Sequence, residues 1–224
     1  MAKPHTQMSR YDSVLFDLDG TLLDTMDDIS GALNQTLSEH GFPTHGREAV
    51  KRFISNGGYQ LMECALPAYT DGATVEKLLA DYRLRYTRHV NDKTRPFQGV
   101  LPMLAALDEA GLQLGIISNK YDKYVKFLTK EHFGSLIRIA VGANPNIPLK
   151  PEPDMLQAAM RELGVAPERT LYIGDAPTDY QAALNADMDC ILAQWGYGDS
   201  QALSLLSPLY FAGDPAELPT LILS

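Results

Sequence analysis

Val14-Leu15-Phe16-Asp17-Leu18-Asp19-Gly20-Thr21-Leu22-Leu23-Asp24-Thr25 is the stretch whose reading decides the fold. Val14–Asp17 is a short apolar, β-rich run that delivers two carboxylates two residues apart, followed at once by Gly-Thr. At the end of a strand, side chains at i and i+2 share a face, so Asp17 and Asp19 project into one small volume. In an open α/β sheet that volume lies at the carboxyl edge, where ligands bind. Gly20 lets the backbone turn sharply and come close to a ligand. Taken alone, the stretch also reads as a strand end followed by a solvated acidic turn.

Outward from this strand the chain alternates. Leu114–Ser118, Ile137–Gly142, Leu171–Asp175, Cys190–Ala193 and, more weakly, Leu209–Ala212 read as further strands. Helical patterns fall between most of them, at Val100–Ala110, Asp122–His132, Asp154–Leu163 and Asp179–Asn185, and Gly111, Gly134 and Gly164 each follow a helical stretch. The alternation predicts an α/β fold, a doubly wound parallel sheet. One interval is too long for a βαβ unit of about 30 residues. Between Asp19 and Gln113 helical spacing recurs at Met26–His40, Arg47–Ile54, Tyr59–Ala65 and Val75–Val90. This predicts an inserted helical module, with linkers near Leu23–Thr25 and Arg95–Gly99. The expected division is a core of residues 1–22 and 96–224 and an insert of residues 23–95.

Composition excludes some classes of function. The 224 residues are 45% hydrophobic and carry 28 Asp+Glu against 19 Lys+Arg, a formal net charge of -9. A chain this acidic lacks the basic face that non-specific nucleic-acid binding needs and is repelled by an anionic membrane. No apolar run approaches the ~18 residues of a spanning helix. The N-terminal MAKPHTQMSRYDS is polar and carries no signal-peptide hydrophobic stretch, so the expected compartment is the cytoplasm. Cys64 and Cys190 make neither a metal motif nor a disulfide framework.

The other strand ends bear on the ambiguity at Asp17. The second finishes Ile117-Ser118-Asn119, a hydroxyl and an N–H that also fit an N-cap. Lys150 follows the third strand in Leu149-Lys150-Pro151-Glu152-Pro153, held in a segment stiffened by prolines. The fourth ends Gly174-Asp175-Ala176-Pro177-Thr178-Asp179, which also suits a helix N-terminus with a first-turn acid. Four consecutive strand ends carrying acids, a hydroxyl and a lysine make a poor coincidence. Carboxylates packed this closely repel by several kcal/mol at intermediate dielectric. They call for a cation, and hard oxygen ligands select Mg²⁺.

These ordered motifs, Asp17–Thr25, Ser118-Asn119, Lys150 and Gly174-Asp175…Asp179, resemble those of the haloacid dehalogenase superfamily. The resemblance runs from Val14 to Trp195-Gly196-Tyr197. The helical insert resembles the cap of the phosphoglycolate phosphatase-like subgroup, and Gly99 sits where that subgroup re-enters its core. The resemblance implies a Rossmann-like sheet with the first strand central, and a Mg²⁺-dependent phosphatase acting on a small-molecule phosphate ester. It implies that Asp17 is the nucleophile, forming an aspartyl-phosphate, and Asp19 the general acid and then base. Mg²⁺ would be held by Asp17, the Asp19 carbonyl and Asp175, with Asp179 binding it directly or through a neighbour. Ser118 and the Asn119 N–H, with Gly20 and Thr21 of the acid/base loop, would serve the phosphoryl group, and Lys150 would neutralise charge.

Substrate choice is expected to lie in the insert. Asn56-Gly57-Gly58, with Arg52 one turn earlier, reads either as a turn whose N–H groups meet an anionic substrate or as a plain helix connection. Arg83, Arg85 and Arg88 read as a solvated face, and Asp24 and Thr25 as hinge residues. Asp19 argues against dehalogenation, and Lys51 and Lys77 lack the context of a Schiff-base lysine. Asp19-Gly20-Thr21 departs from the Asp-Gly-Val usual in phosphosugar mutases. Pyrophosphatase, nucleotide phosphatase and sugar-phosphate phosphatase activities stay open. A phosphorylation-switched receiver is disfavoured by Asp19 and by the insert. Neither the oligomeric state nor the physiological substrate follows from the sequence.

Overall fold

The computed structural model describes residues 9–224. Residues 1–8, which include most of the polar N-terminus behind the cytoplasmic expectation and the start of the 1–22 segment, lie outside them. Six strands form one parallel sheet: β1 (Ser13–Phe16), β4 (Gln113–Tyr121), β5 (Ile139–Ala143), β6 (Thr170–Gly174), β7 (Asp189–Ala193) and β8 (Tyr210–Ala212). Their order is β5-β4-β1-β6-β7-β8, with β1 in the interior of the sheet. Val14, Leu15 and Phe16 are wholly buried, as expected for a parallel strand covered on both faces. Their side chains alternate. Val14 and Phe16 join Ile116 and Ile173 in one apolar cluster, and Leu15 joins Ile117 and Tyr172 in the other.

Helices cover both faces. α5 (Val100–Glu109), α6 (Asp122–Phe133) and α10 (Leu218–Leu223) pack on the Val14 side, while α7 (Asp154–Leu163) and α8 (Pro177–Asn185) pack on the Leu15 side. A short α9 (Ser200–Leu203) lies beyond β7. Gly111, Gly134 and Gly164 all adopt positive φ after their helices, as their positions predict. No helix among the described residues is long and apolar enough to cross a membrane.

The long interval is helical: α1 (Met26–Glu39), α2 (Arg47–Phe53), α3 (Gly57–Ala65) and α4 (Gly72–His89). Where the sequence predicts two free linkers, the chain forms a two-stranded antiparallel ribbon, β2 (Leu23–Asp24) against β3 (Arg95–Pro96). Two-residue strands leave no periodicity to read, so the pairing is invisible until both ends of the insert are brought together. The ribbon is tied down by Asp28, a buried acid on α1 whose carboxylate accepts hydrogen bonds from the N–H groups of Lys93 and Thr94 and from the Thr94 hydroxyl at 2.8–3.0 Å. The insert's apolar residues, Leu33, Met62 and Leu78 among them, run continuously into the cluster containing Val14 and Phe16.

Register places the chemistry. Phe16 is level with Ile116 of β4 and Ile173 of β6, so Asp17, Ser118 and Asp175 emerge together just past the same line. The Asp28→Ala variant strands the buried N–H and hydroxyl of Thr94 and the part-buried N–H of Lys93 at the neck of the insert. It is expected to destabilise the protein by about 2–4 kcal/mol, read as a lower urea midpoint at unchanged slope.

Candidate active site

Asp17, Asp175 and Asp179 are buried, and one carboxylate oxygen from each lies within 4.8 Å of the others. The ammonium of Lys150 enters this cluster, donating to Asp17 Oδ1 and Asp179 Oδ1 at 2.7 Å, to the Tyr172 hydroxyl at 2.9 Å and to the Ile117 carbonyl at 3.1 Å. Burial pushes the Asp17 carboxyl up to about 7; Lys150 opposes the rise and Asp179 adds to it. Burial likewise raises Asp175, with Asp179 and Asp17 contributing. Burial works against the charge on Lys150, but the two acids beside it outweigh that and hold the ammonium protonated. One cation against three carboxylates leaves an excess of negative charge in a buried site. An all-oxygen donor set with that excess fits a divalent metal ion.

Each carboxylate is positioned by backbone. Asp179, in the first turn of α8, accepts from the Asp175 and Ala176 N–H groups through Oδ2 at 3.1 and 3.0 Å. With Oδ1 taken by Lys150, both of its oxygens are already hydrogen-bonded. Asp175 accepts from the Tyr197 N–H at 2.6 Å and the Thr21 hydroxyl at 3.1 Å. Tyr197 reaches further: its hydroxyl accepts from the N–H groups of Thr25 and Met26 and donates to Asp24. Trp195 donates its indole N–H to the Thr21 carbonyl. The Trp195-Gly196-Tyr197 stretch thus joins one acid of the cluster to the chain entering α1. Gly20 turns at φ +91°, and a Cβ there would lie 2.4 Å from Asp175 Oδ2, so no other residue fits without displacing the acid.

Asp19 stands apart from this cluster. Its carboxylate accepts from Lys120 Nζ at 2.9 and 3.0 Å and from the Thr25 hydroxyl at 2.7 Å. Thr21, which the sequence reading associates with the acid/base loop, lies behind that loop on Asp175; the hydroxyl against Asp19 belongs to Thr25. Lys120 was not singled out in the sequence at all. It immediately follows Ser118-Asn119, which is the one signal pointing to it. The ammonium is nearly buried and sits 4.8 Å from the centroid of the Tyr86 ring on α4.

Ser118 and Asn119 end the main run of β4. The Asn119 side chain is a three-way clamp. Its amide donates to the carbonyls of Lys150 and Ser55 at 2.9 Å, and its oxygen accepts from the Lys150 N–H at 2.8 Å. Ser55 holds φ +109°, a conformation rare for a residue with a Cβ, and Gly57 follows at φ +84°. The 55–57 segment of the insert therefore docks against the loop that carries Lys150.

Core and insert together enclose a cavity of about 220 Å³. Asp17, Asp19, Ser118, Asn119, Lys150 and Asp179 line its core side, and Asn56 and Gly57 its insert side. Gly20, Thr21 and Asp175 lie outside the lining, and Arg52 is exposed and does not reach it. Five tyrosines also line it, Tyr59, Tyr82, Tyr86, Tyr121 and Tyr124, as does Arg83; helical spacing places Tyr82 and Tyr86 on one face of α4 without showing that this face meets a cavity. Helical spacing alone could not distinguish a residue facing the core from one facing an internal cavity.

The chain matches the family described as haloacid dehalogenase-like hydrolase over residues 14–193. It is 36% identical over 196 residues to a phosphoglycolate phosphatase of Xanthomonas campestris pv. campestris, covering 86% of this chain and 88% of that one. It is 31% identical over 189 residues to an N-acetylmuramic acid 6-phosphate phosphatase of Pseudomonas aeruginosa, covering 84% of each. A crystal structure from Lactobacillus delbrueckii subsp. bulgaricus superposes with a TM-score of 0.90 at 29% identity, covering 95% of this chain and 98% of that one.

The clamp generates a prediction. Asn119→Asp keeps an acceptor for the Lys150 N–H but places a carboxylate against the carbonyls of Lys150 and Ser55. It is expected to cost about 2–3 kcal/mol of stability, and Asn119→Ala a similar amount. Denaturant midpoints equal to wild type for both would show that the clamp contributes nothing.

Proposed function

The chain belongs to the haloacid dehalogenase-like hydrolase family, and we propose that it is a Mg²⁺-dependent phosphatase that hydrolyses a small, phosphoglycolate-type phosphate monoester through an aspartyl-phosphate. The observation that carries this reading is the pairing of Lys150 with Asp17 inside a metal-sized cluster of acids, at the floor of a cavity. In this reading residues 1–22 and 96–224 are the core, and residues 23–95 are a cap hinged at the β2–β3 ribbon.

Asp17 attacks phosphorus in line; the P–O ester bond breaks and the leaving alkoxide takes a proton from Asp19. Asp19 then removes a proton from the water that attacks the aspartyl-phosphate, returning Asp17 as a carboxylate. Lys120 and the Thr25 hydroxyl fix where Asp19 stands during both steps. The Ser118 hydroxyl and the Asn119 N–H bind phosphoryl oxygens, and Lys150 holds the charge of Asp17 in check while the group transfers. Asp17 and Asp175 would hold Mg²⁺, oriented by Asp179, and the ion would withdraw charge from a phosphoryl oxygen. Tyr86, Tyr82 and the 55–57 segment close the cavity and keep bulk water from the acyl-phosphate.

Phosphoglycolate and the sugar phosphate named for the Pseudomonas aeruginosa relative are the two leading substrates. The five tyrosines lining the cavity favour keeping the second, since aromatic faces suit a ring.

Asp17→Asn is expected to abolish Mg²⁺-supported phosphate release from an aryl phosphate while the fold survives; substantial residual turnover would remove Asp17 as nucleophile. Asp19→Asn should be severely impaired and should accumulate phospho-Asp17, visible as a phosphate adduct by mass spectrometry. Stability offers a separate check on the metal. Without metal, Asp17 binds its proton near 7 in the folded chain but near ~3.9 when unfolded. The folded state therefore binds more protons across that window and loses stability as pH rises through it. A cation on these acids opposes the loss, so Mg²⁺ should raise the urea midpoint more at about pH 8 than at about pH 5. Equal shifts at both would count against metal bound at this cluster.

A further inference from the structure

Three basic side chains line the cavity: Lys150, Lys120 and Arg83. Two of them are committed. Lys150 bonds Asp17 and Asp179, and Lys120 bonds both oxygens of Asp19. Each therefore compensates acids of the catalytic floor and has little charge to spare for a ligand. Arg83 differs, since no carboxylate among the described residues lies within ion-pair distance of it, whereas its neighbour Arg85 on α4 is paired with Glu39.

Arg83 is also held in place. The Tyr124 hydroxyl donates to the Arg83 carbonyl at 2.9 Å and lies 2.8 Å from the Thr87 hydroxyl, pinning this turn of α4 to α6. Its guanidinium sits 5.7 Å from the centroid of the Tyr121 ring. Packing of the plane against an aromatic face leaves the N–H edges free for a planar, two-oxygen acceptor. The walls of the insert beside it supply neutral donors. Tyr82 and Tyr86 are buried, the Tyr86 hydroxyl has no hydrogen-bond partner among the described residues, and burial holds both phenols protonated.

Resting on the phosphatase reading above, we propose that Arg83 selects among phosphate monoesters by binding a second anionic group, a carboxylate, carried on the leaving portion of the substrate. The phosphoryl group is held at the core floor, where the cations are already matched to acids. The carboxylate takes the one cation of the lining that has no acid of its own, in a bidentate contact. A monoester lacking the carboxylate leaves that guanidinium without an anion and gains nothing from it. Arg83 is in this respect a specificity residue; the bond-breaking steps do not pass through it.

Phosphoglycolate and ethyl phosphate form the test pair, being of similar size and differing in the carboxylate. The measured quantity is the ratio of their kcat/KM values, from Mg²⁺-supported phosphate release. Arg83→Gln is expected to lower the preference for phosphoglycolate at least about tenfold, chiefly through KM. Arg83→Lys, which keeps the charge and loses the planar fork, should fall between wild type and Arg83→Gln. Because Arg83 is exposed at the surface of α4, both variants should fold, checked by unchanged thermal midpoints. A preference that changes less than about twofold in Arg83→Gln, or equal losses on both esters, overturns the assignment while leaving the phosphatase reading intact. Absence of Mg²⁺-supported release from either ester by the wild type overturns the phosphatase reading, and the assignment with it.

Discussion

Three carboxylates and one ammonium packed at the carboxyl edge of a parallel sheet form the constraint on which the rest of the structure depends. Asp17, Asp175 and Asp179 could not be buried this close together as bare charges. Lys150 compensates part of the charge, and directed N–H groups stabilise the acids further without cancelling the excess. The Asp175 and Ala176 N–H groups, just before α8, point at Asp179, and the Tyr197 N–H points at Asp175. Several elements beyond β7 can be understood as support for this cluster. The 195–198 loop passes so close to Asp175 that its two glycines have no room for side chains.

A second set of contacts joins the insert to that floor. Asn119 holds the Lys150 loop and the Ser55 carbonyl with one amide, Lys120 lies between Asp19 and the Tyr86 ring, and Tyr124 is bonded to the backbone of α4. Asn119 and Lys120 each touch both a catalytic candidate and the insert, while Tyr124 holds α4 of the insert against α6. Displacement of the insert must therefore disturb Lys150 and Asp19 as well as open the cavity. Tyr197 makes the corresponding link where the chain enters α1: it binds Asp24, Thr25 and Met26 through its hydroxyl and Asp175 through its N–H.

The strands and helices of the core were legible because parallel strands buried on both faces are written as short apolar runs, each closed by a polar residue. β1, β6 and β7 begin and end within about a residue of the sequence expectation, whereas β4 continues through Asn119-Lys120-Tyr121, which the apolar run does not include. α3 begins two residues before the predicted helix, at Gly57, because the turn that was expected to precede it is its first turn. The sequence also showed which strand ends carry the acids and the lysine that the fold gathers into one cluster. Which hydroxyl meets which acid was not legible: Thr21 and Thr25 are both polar residues following the same turn, and the chain reversal at Gly20 sends one to Asp175 and the other to Asp19. For a related reason the cavity lining includes Arg83, read from sequence as a solvated face, and not Arg52, read as a substrate candidate. A helix face is readable from periodicity, but whether that face meets solvent or a cavity depends on where the helix is docked.

What the sequence determined by itself was local and repetitive: the alternation of strands and helices, the long helical interruption after the first strand, and the acids, hydroxyl and lysine at consecutive strand ends. Those features follow from side-chain period and from the need to bury apolar faces, both of which act over a few residues. Tertiary structure alone decided the pairings between distant residues, such as Lys120 with Asp19, 101 positions apart, Lys150 with Asp17, 133 apart, and Tyr197 with Thr25, 172 apart. It also left Arg83 without an acid among the described residues while pairing Lys120 and Lys150 of the same cavity. Such pairings are set by how rigid elements dock, and the energy of a buried charge depends on every group around it, whatever its place in the chain.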